Sequence, residues 1–282
     1  MATASSISEL LQGSRIQHLA ARIEAAAQPS IRLDSGEATD GPVSRLGGVP
    51  NMPAEWGWPT NHDGWPLAFI AQIALGGLPR LEGYDLPTDG SLYFFHDGES
   101  WGFKPEDIGS CRVLYGSDPL AKHSLHPLPD DDLEYQFKGV ELSVRWTEKT
   151  IPDLRDISSE AFELQSKEDR SAYGDFEDRW AATDTAIKHR MGGHLDLIQG
   201  DAKIEANLVS HGIYCGDSEG WKLGREKGLF AGAKDWQLLL QVDSDEKAEM
   251  QWGDSGRIYF LIHKDDLAAR RFEKSRLVLQ CF

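Results

Sequence analysis

The chain has 282 residues, and its 29 Lys and Arg against 46 Asp and Glu leave a net charge of -17. A balance this acidic argues against nucleic acid as a partner, because affinity for phosphate backbones comes from clustered cations that release counterions. No stretch approaches the ~20 apolar residues that cross a bilayer, and the length allows one large domain or two, with a core that needs neither disulfide nor metal.

In chain order, Ser6 to Ala27 carries Ile7, Leu10, Leu11, Ile16, Leu19, Ala20 and Ile23 at helical spacing. Ser6 and Glu9 form a capping-box pair, Gly13 weakens the middle and Pro29 ends the pattern. We therefore expect an N-terminal amphipathic helix over 1–30 and a single domain over 31–282. No basic segment followed by an apolar run opens the chain, so no signal peptide is expected. Residues 34–66 are dense in Gly, Pro, Asp and Asn, which favour turns. They hold Trp56, Trp58 and Trp65, with His62-Asp63 between them. Trp side chains in such a loop either cover a core or present an aromatic surface to a ligand, and a His-Asp couple beside that ligand could exchange protons.

Leu67 to Ile73, Leu92 to His96 and Cys111 to Tyr115 have strand length and composition. Leu133 to Trp146 alternates well enough for one or two more strands. Residues 153–190 turn acidic and helix-friendly, with Phe162, Leu164, Phe176, Trp180 and Ile187 as apolar members, and Asp201 to Val209 suggests a further helix. Strands return at Trp236 to Val242, Arg257 to Ile262 and Arg276 to Gln280.

The later strands repeat the earlier ones. Leu67-Ala-Phe-Ile-Ala-Gln72-Ile73 and Asp89-Gly-Ser-Leu-Tyr-Phe-Phe95 return as Trp236-Gln-Leu-Leu-Leu-Gln241-Val242 and Ser255-Gly-Arg-Ile-Tyr-Phe-Leu261. Each run follows a double glycine, Gly47-Gly48 or Gly192-Gly193. The expectation is an α+β fold with an internally duplicated β-rich core of two similar halves, about 44–116 and 191–282, joined by an insertion over 117–190 and flanked by peripheral helices. With Gln72 set on Gln241, Phe69, Ala71 and Ile73 share one face with Leu238, Leu240 and Val242. The two glutamines then lie on the other face, where a buried amide must find partners.

Ser44-Arg-Leu-Gly-Gly-Val-Pro50, Trp58-Pro59, Pro66 to Ile73, Leu86 to Phe95, Trp236 to Gln241 and Trp252-Gly-Asp-Ser-Gly256 together resemble the YwqG-like family, from Ser44 to the C-terminus. That resemblance implies a soluble bacterial α+β fold with a repeated core, and it brings no catalytic residues and no cofactor. The second half departs from the pattern, with His194-Leu195 after the glycine pair.

Gly253-Asp254-Ser255-Gly256 looks like the surroundings of a nucleophilic serine. The first half has Asp89 where Ser255 stands and keeps only the turn, so a turn is expected here. His189, His194, His211 and Cys215 supply metal-capable atoms within a short stretch, yet their spacing matches no closed zinc pattern. Cys111, Cys215 and Cys281 are odd in number and widely spaced, as expected of reduced thiols in the cytoplasm. The expected function is a non-enzymatic binding module, partner- or toxin-neutralising, that meets a basic protein or a small ligand between its halves. Trp56, Trp58, Trp65, His62, Gln72 and Gln241 are its candidate contacts. The alternative is a metal-assisted hydrolase using His189, His194, His211 and Cys215.

Overall fold

The computed structural model describes residues 6–129, 133, 135–154, 164, 166–184 and 186–282, the side chain of Trp146 excepted. Phe162 of the expected insertion lies outside that set. The N-terminal segment is two short helices rather than one. Ser6 caps α1 (Ile7–Leu10) through the expected box with Glu9. Gly13, at a φ of 76°, breaks the run before α2 (Ala20–Ala26).

Among the described residues twelve strands follow in chain order: β1 (Gln28–Ala38), β2 (Arg45–Leu46), β3 (Asn51–Met52), β4 (Ala68–Ala74), β5 (Ser91–His96), β6 (Cys111–Gly116), β7 (Ser124–Leu125), β8 (Val140–Thr150), β9 (His189–Met191), β10 (Trp236–Asp243), β11 (Arg257–His263) and β12 (Arg276–Gln280). Helix α3 (Lys167–Ala181) precedes β9, α4 (Ala202–Ser210) and α5 (Ser218–Glu226) lie between β9 and β10, and α6 (Lys264–Ala268) follows β11. Strands β3 and β7 pair on their own. The other ten form one antiparallel sheet in the order β12-β11-β10-β9-β1-β8-β2-β4-β5-β6. The class is α+β, as expected, and strongly β-rich.

The sheet curls into a nearly closed barrel. Phe94 on β5 meets Phe260 on β11 across the interior, with ring centroids 5.0 Å apart. Near its open edges, the amide of Leu279 on β12 donates to the Trp101 carbonyl in the loop before β6, at 3.0 Å. Inside lies the main core, with Ile31, Leu33, Ile70, Ile73, Leu92, Leu239, Val242, Ile258 and Leu279 among its members. A second core joins α1, α2 and α3 through Ile7, Leu11, Ile23, Tyr173 and Phe176.

Strand parity within β4 and β10 is not the simple alternation expected. A bulge between Phe69 and Ala71, and another between Leu238 and Leu240, moves the chain by one residue. Ala71, Ile73, Leu240 and Val242 therefore face the main core, while Phe69 and Leu238 turn outward into two satellite clusters. Leu195, Leu197 and Ala206 of α4 pack with Leu238, whereas Trp56 and Trp58 pack on the cluster of Phe69.

Strand β1, eleven residues at the centre of the sheet, falls in a stretch whose composition reads as irregular. Its inner positions, Ile31 and Leu33, are apolar, but Arg32 and Asp34, which alternate with them, point to the other face. Two irregularities in its register with β8 blur the period further.

Gly102, at a φ of 85°, brings the chain so close to β12 that a Cβ would collide with the Leu277 carbonyl. Gly102→Ala combines that collision with a left-handed backbone, and we expect a loss of about 3 kcal/mol in urea unfolding. Glu205 on α4 is buried beside Asp201; burial, then that like charge, pushes its carboxyl up to about 8, a bond from Gln280 offsetting only part. Unfolded, it titrates near 4.5, so between that pH and about 8 the unfolded chain releases a proton that the native state keeps. Stability falls as pH rises through this window. Glu205→Gln should flatten that fall and exceed wild type at pH 8 by roughly 2 kcal/mol in denaturant titrations.

Candidate functional site

The three tryptophans of the Gly/Pro-rich loop have two different duties. Trp56 stands edge-on to Tyr93 at 5.7 Å and Trp58 edge-on to Phe95 at 5.7 Å, with the Trp58 indole N–H donating to the Leu67 carbonyl at 2.8 Å. Both roof the outer face of β4 and β5. Trp65 does not join them and is 66% exposed.

A hydrogen-bonded hairpin carries Trp65. Thr60 bridges to Pro66, the Asn61 amide donates to the Trp65 carbonyl at 2.8 Å, and Asn61 Oδ1 accepts from the amides of Asp63 and Trp65 at 3.0 and 2.9 Å. His62 and Asp63 form an exposed pair at 3.2 Å on its tip.

Trp65 borders a cleft of about 320 Å³ shared with Asn61, Ala68, Asp97, Glu99 and Tyr135. The opposite wall is built as firmly as the hairpin. Asp97 Oδ1 accepts from the amides of Glu99 and Ser100 at 3.0 and 2.9 Å, and Asp97 Oδ2 accepts from the Ser100 hydroxyl at 2.6 Å. Behind it lies His96, fully buried; desolvation lowers its pKa despite the nearby Asp97, and its Nδ1 accepts from Gly98 N. The Tyr135 ring lies against Gly98, where any larger residue would meet it. Two aromatic rings and two carboxylates thus line the cleft, with no Lys or Arg among its described lining residues.

Gln72 and Gln241 are both fully buried, and both amides are committed to the protein itself. Gln72 accepts from Asn51 N at 2.8 Å and donates to the Val43 carbonyl at 2.7 Å. Gln241 accepts from Asp196 N at 3.1 Å and donates to the Lys188 carbonyl at 2.8 Å. Each ties the loop after a short strand, β2 or β9, onto its neighbour, and neither is presented to a ligand.

His189, His194, His211 and Cys215 are not brought together. His189 Nε2 lies 3.1 Å from Asp245 Oδ2, while its Nδ1 accepts from Asp243 N at 3.2 Å. Burial opposes ionisation of Asp245, but its bonds from His189, Ser35 and the Lys247 amide overcome that and hold the carboxyl well below the usual range. His194 Nε2 contacts the Ala26 carbonyl at 2.8 Å and His211 Nδ1 the Asn207 carbonyl at 2.7 Å. Cys215 sits among Leu208, Val209 and Ile213, where burial pushes its thiol up to about 12, so little nucleophilic thiolate exists at neutral pH. Among the described residues no group of three or more His, Cys, Asp or Glu could hold a metal ion. Ser255 lies in a turn at a φ of 51°, with Gly256 N donating back to the Trp252 carbonyl at 2.7 Å.

Sequence reasoning missed the charged outer face of β1, β9 and β11. Arg32, Lys188, Arg190 and Arg257 gather there around Glu148, Asp196 and Asp243. Its only sequence signal is the alternation Arg32, Asp34 in β1, which the turn-rich composition around it hides. No helix among the described residues is long and apolar enough to cross a membrane. No curated protein matches the chain. Residues 44–281, from the strand that carries Arg45 to the end of the sheet, match the family model described as "Domain of unknown function (DUF1963)", and the protein belongs to that family.

Proposed function

We propose that this protein is a non-enzymatic binding module of the cytoplasm, built on an internally duplicated core, that takes a cationic side chain of a basic partner protein at the Trp65 cleft. The duplication is supported by paired details. Arg45 opposes Gln72 and Gln72 opposes Tyr93, just as Arg190 opposes Gln241 and Gln241 opposes Tyr259. The side chain before each arginine accepts an amide from the next strand: Ser44 from Ala74, His189 from Asp243. On the motifs shared by these two arms we also read the chain as YwqG-like.

One observation carries the binding reading: a large aromatic side chain stands exposed on a hydrogen-bonded hairpin at the edge of a cleft whose charged described lining is wholly acidic. An exposed apolar ring gains nothing from water, whereas an ammonium or guanidinium over its face is attracted by the ring quadrupole, by about 1 kcal/mol at such sites. The carboxylates of Asp97 and Glu99 add Coulomb attraction, and the net charge of -17 steers a basic partner toward the surface.

Fluorescence anisotropy of a labelled Lys/Arg-rich peptide tests this. Wild type should bind it and ignore an acidic peptide of equal length, and added salt should weaken the complex. Trp65→Ala and Glu99→Gln should each weaken binding about tenfold with the fold intact. Equal binding by wild type and both variants, or none by wild type, sinks the reading.

A further inference from the structure

We propose that the groove between α3 and the outer face of the sheet is a binding site for a free α-amino acid in its zwitterionic form. This site is separate from the Trp65 cleft and takes a different class of ligand.

The groove has a volume of about 260 Å³, somewhat below the range of pockets that take drug-sized molecules. A second cleft of about 380 Å³ opens from it, sharing Ala181 and Lys188 and reaching Arg257 and Asp243. The two walls of the groove differ in charge. On the sheet side stand Lys188 and Arg190 with Asp196 beside them, and on the helix side Asp178 and Glu177, whose Oε1 accepts from the Leu154 amide at 2.7 Å, with Asp153 at one end. Trp180 closes the helix wall with an aromatic surface.

The cationic wall is anchored from below. Arg32, with no exposed side-chain surface, donates to the Ala186 carbonyl at 3.3 Å and to the Ile187 carbonyl, fixing the strand entrance that bears Lys188. Lys188 Nζ and Arg257 Nη1 share Asp196 Oδ2, at 3.3 and 3.2 Å. Burial works against ionisation of Asp196, but Arg257, Lys188 and Arg190 outweigh it and keep the carboxyl below its ordinary range. Arg190, only 8% exposed, lies 3.1 Å from Glu148 through Nε, yet that buried Nε makes no well-directed hydrogen bond. Arg32 lies 3.6 Å from both Glu148 and Asp34 and 3.9 Å from Asp184, so the groove-lining cation that keeps a buried nitrogen without a well-directed bond is Arg190.

A phosphate or other dianion would meet the acidic helix wall, and a simple cation would meet Lys188 and Arg190. A molecule that is anionic at one end and cationic at the other satisfies both walls. An α-amino acid carries these charges on adjacent atoms, with its carboxylate toward Arg190 and Lys188 and its ammonium toward Glu177 and Asp178. Its side chain then has the adjoining cleft to occupy. Space for the backbone comes from Gly174 on the groove face of α3, where an added Cβ would meet no heavy atom within 4 Å. A glycine in mid-helix weakens the helix, and here it keeps the groove open.

Titration calorimetry of the intact protein with each of the twenty amino acids tests the assignment. At least one should bind, and its N-acetyl and carboxamide derivatives should each bind about tenfold more weakly, having lost one charge-assisted contact. Gly174→Leu, a better helix former, should abolish binding while the far-UV circular dichroism is retained. Asp178→Asn should weaken it about tenfold, and Trp65→Ala should leave it unchanged, which separates this site from the aromatic cleft. The proposal is overturned if no amino acid binds at about 10 mM, if a blocked derivative binds as well as the free one, or if Gly174→Leu binds normally. Should Gly174→Leu unfold, Asp178→Asn and the blocked derivatives decide.

Discussion

Everything else in the molecule hangs on the antiparallel pairing of β1 with β8. These two eleven-residue strands lie side by side at the centre of the ten-stranded sheet. Strand β1 then hydrogen-bonds onward to β9, and β8 to β2. So the strand that precedes the first arm attaches to the second arm, and the strand that precedes the second attaches to the first. Without this central pair the arms β2-β4-β5-β6 and β9-β10-β11-β12 would be two curled four-stranded ribbons, each with an open edge ready for mispairing. With it they close around one interior.

The two sides of that sheet meet different physical demands. The inner side is a dry core in which Ile31, Leu33, Leu239 and Phe260 interlock. The outer side is covered piecemeal, and each cover follows what lies beneath it. Trp56 and Trp58 roof Phe69 and Phe95 in the first arm; α4 and the strand-like run of Leu195 and Leu197 roof Leu238 and Leu261 in the second. Between these roofs, over β1 and β9, the sheet carries charges in place of apolar side chains, and α3 stands off from them. Inner bonds to Gln72, Gln241 and Gln280 tie the irregular connections down: Gln280 alone accepts from the amides of Ile198 and Gln199 and donates to the Gly200 carbonyl. Buried glutamines are thereby the fastening of the loops, a use that satisfies the backbone groups those loops would otherwise leave unpaired.

Six of the eight strands of the two arms, β4, β5, β6, β10, β11 and β12, were legible in the sequence because apolar residues, Gly/Pro turns and strand length coincide there. The capping box at Ser6 and the helix behind Asp201 were legible for the same kind of local reason. Strand β1 was not, because Arg32 and Asp34 on its outer face and Gly36 near its end imitate a loop, and only its partners reveal it as a strand. Parity in β4 and β10 was misread because a bulge has no local signature in Phe69-Ile70-Ala71 or Leu238-Leu239-Leu240. Among the candidate contacts, composition could not separate the exposed Trp65 from Trp56 and Trp58, since exposure depends on what Tyr93 and Phe95 offer from other strands. The charged groove was invisible, because Arg32, Glu148, Arg190 and Arg257 come from four strands scattered along the chain.

The crossed attachment of β1 also sets a schedule. As the chain leaves the ribosome at roughly 5–20 residues per second, β1 emerges about a hundred residues ahead of Val140 to Thr150 and further still ahead of His189 to Met191, its two partners. Until then the first arm can form its local hairpins but not its central neighbour, and Ile31 and Leu33 have no interior to enter. Closing such long loops is entropically costly and slow. The polar outer face of β1, with Arg32, Asp34 and Gly36, keeps that waiting strand from being a fully apolar edge. The residues that disguise it in the sequence thus also guard it during synthesis.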